Sequence, residues 1–361
     1  MTCIRKDSTD EMITFSYLCS AMVTENTIIL APLHGYTECA FRNALAGCFY
    51  GYDEAIAPFI SLSPAEHVNP RRLHDLVPSR NSRLTVVPQI LGNEPQQFIA
   101  MANALADLGY DRLNWNMGCP KKSIASKQRG SGLLPHPELI DGILSAVVPK
   151  IPQRLSVKLR LGRSHPEEIY PVIGVLNRFP LETVILHPRI GIEKYEVRAD
   201  VDRFEEVLPL FKHPVIYNGD IFSLADYNRI SDRFRSVKAF MIGRGVFANP
   251  FLAEQIKGLP LASAEEQRNR FIHFISVLMD ELKKDSKSSH FLFSRMKDYW
   301  GFFSYLFYDS EKIYKELVRI PDEERFYQRQ GKILNEAIWR DLNSSQTDFT
   351  GSKADKKQLE G

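Results

Sequence analysis

TVVPQILGNEPQQFIAMANALADLGYDRLNWN (85–116) holds a strand–helix–strand pattern, and this pattern decides the fold. The flanking runs TVVPQI (85–90) and DRLNWN (111–116) are short and rich in β-forming apolar residues. EPQQFIAMANALADLG (94–109) between them has apolar residues at three- and four-residue spacing and stops at Gly109. The stretch therefore predicts a strand, a helix and a second strand in succession.

The same alternation extends from about residue 27 to residue 250 and gives eight strand–helix units. Eight units in about 225 residues predict an α/β fold, the (β/α)₈ TIM barrel. A doubly wound sheet is the alternative, but it needs fewer strands and a G-x-G-x-x-G fingerprint that this sequence lacks. The predicted strands are TIILA (27–31), EAIAPFI (54–60), TVVPQI (85–90), DRLNWN (111–116), LSVKLR (155–160), TVILHP (183–188), HPVIYN (213–218) and VKAFMIG (237–243).

The pattern changes after about residue 255, where helical runs follow one another without a convincing strand. We expect helices over 265–284, 293–307 and 323–342, which indicates an all-α helical domain after the barrel. The chain would then comprise an N-terminal extension (1–26), a catalytic barrel (27–255), a C-terminal helical domain (262–342) and a polar, disordered tail (343–361).

Composition narrows the class of protein. Of 361 residues, 44% are hydrophobic and 25% charged, and 46 basic against 44 acidic residues give a net charge of +2, which excludes a histone-like polycation. The sequence contains no run of about 18 apolar residues, so it predicts no membrane span. Five cysteines without C-x-x-C or zinc spacing favour a reducing cytoplasm and give no sign of a metal site.

Polar side chains end nearly every predicted strand. In a (β/α)₈ barrel the chemistry lies at the carboxyl ends of the strands, so these residues predict a catalytic mouth. NGD (218–220) and GRG (243–245), after strands seven and eight, occupy the turns where such barrels commonly hold a phosphate, and Arg244 adds donors there.

Cys119 and a group of cations belong to the same predicted mouth. Gly118 and Pro120 place Cys119 in a loop at a strand end, where a functional role is favoured over an inert packing role; a protonated thiol acting as an acid and a thiolate nucleophile remain equally open. Lys158 and Arg160 point to the same face of strand five. Because burying unpaired charge is costly, two cations there indicate a functional site rather than core packing. Residues 120–163 carry an excess charge of +7, which suits a polyanionic substrate.

Several of these blocks resemble the signatures of bacterial tRNA-dihydrouridine synthases. The resemblance covers about residues 27–340 in the family's order and spacing. The block with NMGCP and GSGLL is its most specific element. The matching blocks are IILAPLHGYTECAFR (28–42), LNWNMGCPKKSIASKQRGSGLL (113–134), VKLRLG (157–162), VIYNGDI (215–221) and FMIGRGVFANP (240–250).

The resemblance implies an FMN-dependent barrel and a helical domain that grips tRNA. It implies Cys119 as the catalytic residue and places Asn116 and Arg160 around the target base. In the helical domain it implies RNA contacts by Arg295, Lys297 and Arg319, as in the dihydrouridine synthase C branch. That branch acts on uridine 16 of the D-loop. Tyr195, in the barrel, is a further match to it. The implied flavin-binding residues are Pro32, Leu33, His34, Gln89, Lys158, His187, Asn218, Gly219, Asp220, Gly243 and Arg244.

Three positions depart from the family's pattern. Pro188 stands where the family usually has Gly or Ala, Tyr217 where a small residue is usual, and Ser61 where the C branch carries an arginine. The resemblance to the C branch is therefore incomplete.

The resemblance further implies a reaction in which NADPH reduces FMN, hydride goes to C6 of a flipped uracil and Cys119 gives a proton to C5. We expect a monomer in the cytoplasm with tRNA as partner, no membrane association and no metal. Two alternatives are a flavin barrel that reduces a small molecule and a tRNA-binding protein that has lost its chemistry.

Overall fold

The computed structural model describes residues 25–62, 69–260, 262–286, 288–340 and 342. The expected N-terminal extension (1–26) and tail (343–361) lie outside the described residues, apart from residues 25 and 26.

Eight parallel strands form a ring within the described residues. The last strand pairs with the first, from Thr27 opposite Ala239 to Leu30 opposite Ile242, and this pairing closes the ring. The fold is thus the predicted (β/α)₈ barrel. Its strands are β1 Thr27–Leu30, β2 in two segments Glu54–Ile56 and Ile60–Ser61, β3 in two segments Thr85–Val87 and Gln89–Leu91, β4 Arg112–Met117, β5 Arg154–Gly162, β6 Val184–Ile190, β7 Val215–Tyr217 and β8 Ala239–Ile242.

Strands β2 and β3 are interrupted, although the sequence predicts them as continuous. The interruptions contain Pro58 and Pro88, and a proline has no N–H to give to the ladder. The second segments nevertheless continue the barrel, because Ile60 pairs with Ile90, and Gln89 pairs with Asn114. The interruptions thus bend the ring without opening it.

Helices follow most of the strands and then form the C-terminal helical domain. None of the helices in the described part of the chain is both long and apolar enough to cross a membrane. The helices are α1 Cys39–Cys48, α2 Pro95–Asp107, α3 Lys122–Ala125, α4 Pro137–Val147, α5 Ile169–Leu176, α6 Val201–Val207, α7 Leu224–Arg233, α8 Gly245–Ala248, α9 Leu252–Ile256, α10 Ala264–Asp285, α11 Ser289–Phe303, α12 Ser310–Arg319 and α13 Glu323–Glu336.

In the C-terminal region one helix prediction was wrong in its bounds, and one helix was not predicted. The last helix ends at Glu336 rather than at residue 342, because Trp339 instead pairs with Phe307 in an antiparallel bridge. Helix α12 was not predicted, although Ile313 and Leu317, four positions apart, mark one buried face of a helix in the sequence.

The helical domain packs against the barrel through aromatic side chains. Phe41 of α1 stacks on Tyr299 of α11 with ring centres 5.7 Å apart, and Phe247 lies 5.2 Å from Phe302. The Tyr299 hydroxyl donates to the Tyr36 carbonyl at 2.7 Å, in the loop after β1. This contact ties α11 to the end of the barrel where the strands finish.

The interior of the barrel is divided into an apolar side and a polar side. Strand residues alternate between the two faces, so every second side chain points inward. The side formed by β4 and β5 carries Asn114, Asn116, Ser156 and Lys158. The polar side therefore directs hydrogen-bonding groups to the strand ends. The apolar side is Ile29, Ala31, Ile56, Val87, Ile185, Ile216 and Met241.

Candidate active site

Two adjoining cavities open at the carboxyl ends of the strands. The turn-side cavity, about 470 Å³, lies against the turns after β7 and β8. The cysteine-side cavity, about 750 Å³, lies against the loop after β4. The two cavities share the lining residues Pro32, Leu33, Lys158, His187 and Tyr195, so they form one composite site.

Most of the site residues expected from the sequence meet in these cavities. Asn116, Cys119, Arg160 and His34 line the cysteine-side cavity. Gln89 lines neither cavity, because it is fully buried one layer below. The expected residues in the turn-side cavity are Pro32, Leu33, Lys158, His187, Asn218, Gly219, Asp220, Gly243 and Arg244.

Cys119 is held by its backbone at the edge of the cysteine-side cavity. Its N–H donates to Asn116 Oδ1 at 2.9 Å, and its carbonyl accepts from the N–H and hydroxyl of Ser131 at 3.0 and 2.9 Å. Burial raises the pKa of the Cys119 thiol, although the Lys121 backbone N–H and the neighbouring cations act in the opposite direction. The thiol therefore keeps its proton at neutral pH, which favours the acid over the thiolate nucleophile.

A chain of buried amides supports Asn116. Gln89 donates to Asn114 at 2.7 Å, and its carbonyl oxygen accepts from Asn116 Nδ2 at 2.8 Å. Asn116 Oδ1 accepts the backbone N–H groups of Gly118 and Cys119. The side-chain oxygen of Asn116 is therefore used to position the Cys119 loop, and its Nδ2 retains one N–H for a ligand.

Arg160 joins two of the loops around the site. Its guanidinium donates to the carbonyls of Gly118 at 3.1 Å, Ile190 at 2.9 Å and Lys194 at 2.8 Å. Its side chain is 1% exposed, and burial is the main cause that lowers its pKa to about 10, so it remains a cation. The position of Arg160 thus depends on loops as much as on its strand.

Lys158 lies where the two cavities meet. Burial and then the nearby cation Arg160 lower the pKa of Lys158 to about 7. No ion pair of Lys158 with a carboxylate is found among the described residues. A lysine in this setting gains from an anionic or electron-rich ligand, which would restore the charged form.

The turns after β7 and β8 are joined by charge and by close backbone contact. Asp220 pairs with Arg189 and, at 3.2 Å, with Arg244. Burial alone would raise the pKa of Asp220, but these arginines outweigh it and hold the carboxyl ionised. A Cβ at Gly245 would lie 2.1 Å from the Ile221 carbonyl, so only glycine permits this approach.

Tyr195 covers the junction between the cavities. Its ring centre lies 4.4 Å from the guanidinium carbon of Arg244 and 5.3 Å from that of Arg160. Cations near an aromatic face are attracted to it, so both arginines hold the ring in place. Tyr195 thereby connects the loop after β6 to both halves of the site.

Several lining residues were not among the site residues expected from the sequence, and three of them have large side chains. Phe59 lies beside His34, with ring centres 5.2 Å apart, in the cysteine-side cavity. Arg189 and Phe222 line the turn-side cavity. Phe59 and Phe222 lie near the ends of predicted strands, where an apolar side chain does not distinguish a ligand contact from core packing. Arg189 directly follows the predicted strand TVILHP (183–188), and a charged residue at that place is a signal that the sequence did offer.

The three helical-domain residues do not meet at one point. Arg295 reaches the loop after β1, where it donates to the Gly35 carbonyl. Lys297 instead donates to the Ile320 carbonyl, next to the exposed Arg319. Residues two positions apart on a helix point about 200° apart, so Arg295 and Lys297 serve different faces of α11.

The departure at Tyr217 does not enter the site. Its ring packs against Phe204 and Phe234, with ring centres 4.9 and 6.1 Å away, so it points to the helices outside the barrel. The neighbouring Ile216 takes the inward position.

A model of the dihydrouridine synthase family matches residues 29–337. The chain belongs to the dihydrouridine synthase family. The family expectation is thereby confirmed, and the composite site lies within the matched region.

Curated relatives of this dihydrouridine synthase carry two kinds of name. The tRNA-dihydrouridine(16) synthase of Cupriavidus necator is 30% identical over 251 residues, which are 66% of this chain and 76% of that protein. The tRNA-dihydrouridine synthase B of Pasteurella multocida is 28% identical over 237 residues, 65% of this chain and 70% of that protein. Among solved structures, morphinone reductase aligns with a TM-score of 0.45 at 14% identity over 66% of this chain and 87% of that chain, a likeness too weak to bear on function.

Proposed function

We propose that this dihydrouridine synthase reduces a uridine in the tRNA D-loop to 5,6-dihydrouridine, with FMN as cofactor and NADPH as reductant. The observation that carries the proposal is that protonated Cys119, the cation Arg160 and the basic residue Lys158 line one cavity, which adjoins the glycine turns. Uridine 16 is the proposed position. It is supported by the resemblance to the C branch and by the name of the Cupriavidus necator relative.

The donor set of the turn-side cavity fits FMN. Arg244 and the turns at 218–220 and 243–245 suit a phosphate, because glycine lets backbone N–H groups approach an anion. Lys158 suits an electron-rich ring, since its shifted pKa of about 7 marks an unmet need for negative charge. When bound and reduced by NADPH, FMN would supply the hydride that goes to C6 of the uracil.

The residues of the cysteine-side cavity would bind the base and move the proton. A uracil must leave its stack to enter, and Phe59 and His34 offer it a flat contact at the cavity. Asn116 Nδ2 and Arg160 would hydrogen-bond its edge and hold it in one pose. Cys119 would release the proton that C5 receives, which its raised pKa permits at neutral pH.

The surface around the mouth suits a polyanion. Lys121, Lys122 and Lys127 lie in the segment after β4 that begins beside Cys119, and Arg295 lies at the loop after β1. Phosphate contacts by such cations release counterions and give affinity. We therefore propose the barrel (27–255) as the FMN-binding catalytic part and the helical domain (262–342) as a second tRNA contact.

A position-resolved dihydrouridine assay tests the proposal. The purified protein, FMN and NADPH are incubated with tRNA from a strain lacking all dihydrouridine synthases, and reduced uridines are mapped. We expect dihydrouridine at position 16 and far less of it with Cys119→Ala in the same reaction time. Dihydrouridine only at position 17, 20 or 20a would support uridine reduction but contradict position 16. A folded, flavin-bound protein that forms no dihydrouridine would contradict the proposed activity.

A further inference from the structure

Arg189 is a buried arginine at the end of β6 that joins three parts of the site. Its Nε donates to the Val197 carbonyl at 2.7 Å, its Nη1 lies 2.7 Å from His187 Nε2, and its Nη2 pairs with Asp220. Only 3% of its surface is exposed. Contacts on three sides fix the orientation of the guanidinium, so its approach to His187 is defined.

The contact with His187 determines where the imidazole carries its proton. A guanidinium has five N–H donors and no acceptor. His187 Nε2 must therefore offer its lone pair to Arg189, which leaves the proton of the neutral ring on Nδ1. A protonated His187 would set a second N–H against the N–H of Arg189, which is repulsive.

The charges around His187 act in the same direction. Burial is the largest cause that lowers the pKa of His187 far below its usual value, followed by Arg160, Arg189, Lys158 and Arg244. The carboxylate of this cluster, Asp220, is engaged by Arg189 and Arg244. The ring is thus kept neutral as well as oriented.

We propose that Arg189 is a positioning residue that holds His187 neutral with its proton on Nδ1, so that His187 presents an N–H donor to the ligand of the two cavities. His187 lines both cavities, and Nδ1 is the ring nitrogen that Arg189 does not hold. The identity of the ligand rests on the proposed function. The pyrimidine edge of a flavin carries carbonyl and nitrogen acceptors, which a fixed N–H donor complements, whereas the tautomer belongs to the protein alone.

The tautomer can be read directly in the flavin-free protein. We would label the nine histidines with ¹⁵N, assign the His187 signals by their loss in His187→Asn, and titrate the wild type and Arg189→Met. In the wild type we expect a proton on Nδ1, none on Nε2 and no titration near neutral pH. In Arg189→Met we expect Nε2 to become protonated in part of the molecules and the pKa of His187 to rise toward its ordinary value of about 6.5.

The matched control is Arg198→Met, which removes an exposed arginine from the loop that follows β6 and should leave the His187 signals unchanged. If Arg189→Met does not fold because Asp220 loses a partner, Arg189→Met with Asp220→Asn removes that cost and carries the same expectation. A wild-type proton on Nε2, or an unchanged tautomer and titration in the variant that folds, would overturn the proposal.

FMN binding separates this inference from the proposed function. In Arg189→Met, His187 loses the arginine that orients it, so its hydrogen bond to FMN should weaken. The FMN dissociation constant, measured by flavin fluorescence, should rise about tenfold. A wild type that shows the expected tautomer but binds no FMN contradicts the proposed cofactor and leaves the role of Arg189 intact. A wild type that binds FMN with the proton on Nε2 contradicts only the role of Arg189.

Discussion

Cys119 and Lys158 line one cavity, and burial moves both toward their neutral forms. It raises the pKa of the Cys119 thiol and lowers that of the Lys158 ammonium to about 7. A neutral thiol can give a proton, and a lysine near its pKa responds to the charge of what binds beside it. The chemistry of the site therefore depends on how completely these two residues are removed from water.

Cys119→Ala should lower the turnover of uridine reduction by about 10²–10⁴-fold, since a positioned general acid contributes about that much. Flavin content and tRNA affinity should stay unchanged, because the loop around Cys119 is held by its backbone. Single-turnover kinetics measures the effect. Cys48→Ala, at a buried cysteine of α1, is the matched control, and full turnover in Cys119→Ala would remove this residue from the mechanism.

Lys158→Met should stabilise the flavin-free protein below about pH 7 and lose this advantage as the pH rises. The folded-state pKa of Lys158 is about 7 and the ordinary lysine value is 10.5, so the unfolded chain binds more protons between these values. Wild-type stability therefore increases across that window, whereas the variant lacks the increase. Thermal unfolding from pH 6 to 10 tests this; a constant difference in Tm would contradict it.

At the scale of elements, the loop after β4 is shaped by a glycine. Gly130 has a φ of +57°, and a Cβ there would lie 2.8 Å from the Cys119 carbonyl oxygen. Arg163 reinforces this loop by donating to the Pro120 carbonyl at 2.9 Å and to the Ser131 hydroxyl at 3.2 Å. The position of the thiol is thus set by a tight turn that folds back on it.

Gly130→Ala should lower the free energy of unfolding by about 1–3 kcal/mol, because alanine is strained at this φ and displaces the Cys119 backbone. Turnover should fall with it. Gly142→Ala is the matched control: its Cβ would meet nothing within 4 Å in the middle of α4, so it should stabilise by about 0.5–1 kcal/mol. Denaturant unfolding measures both; equal stability of the two variants would contradict the role of Gly130.

At the scale of the whole molecule, the barrel and the helical domain present one continuous edge around the mouth. The bond from Tyr299 to the Tyr36 carbonyl and the contact of Arg295 with the Gly35 carbonyl fix α11 beside the loop after β1. The exposed Lys122 and Lys127 lie in the segment after β4, close in sequence to Cys119 and Lys121 of the cysteine-side cavity. A folded RNA would have to contact both sides to place a base between them.

Lys122→Gln with Lys127→Gln should weaken tRNA binding and flatten its salt dependence. Each lost phosphate contact should reduce the slope of log affinity against log salt concentration by about 0.7–0.9. Lys238→Gln is the control, because Lys238 is exposed at the amino end of β8, opposite the mouth. Filter binding at several salt concentrations measures the slope. Equal slopes for the double variant and the control would place the tRNA elsewhere.

The alternation of eight short strands with helices identified the barrel. In such a fold the carboxyl ends of the strands meet at one edge, whatever their separation in the sequence. Cys119, Lys158 and Arg244 could be placed at that edge for this reason. The depth of Gln89 could not be predicted, since a strand-end position does not reveal how far a side chain lies below the mouth, and its flavin-binding role stays a prediction. The interruptions of β2 and β3 were not predicted, although Pro58 and Pro88 lie inside the predicted strands and cannot donate to the sheet.

The barrel, the C-terminal helices and most of the residues at the mouth follow from the sequence, because the period and order of the elements along the chain specify which strand ends come together. The protonation and orientation of those residues are set by tertiary packing. The Cys119 proton, the shifted pKa of Lys158 and the pairing of Arg189 with His187 depend on burial and on atoms from distant strands. Desolvation and hydrogen-bond geometry are properties of three-dimensional packing, and no local pattern encodes them.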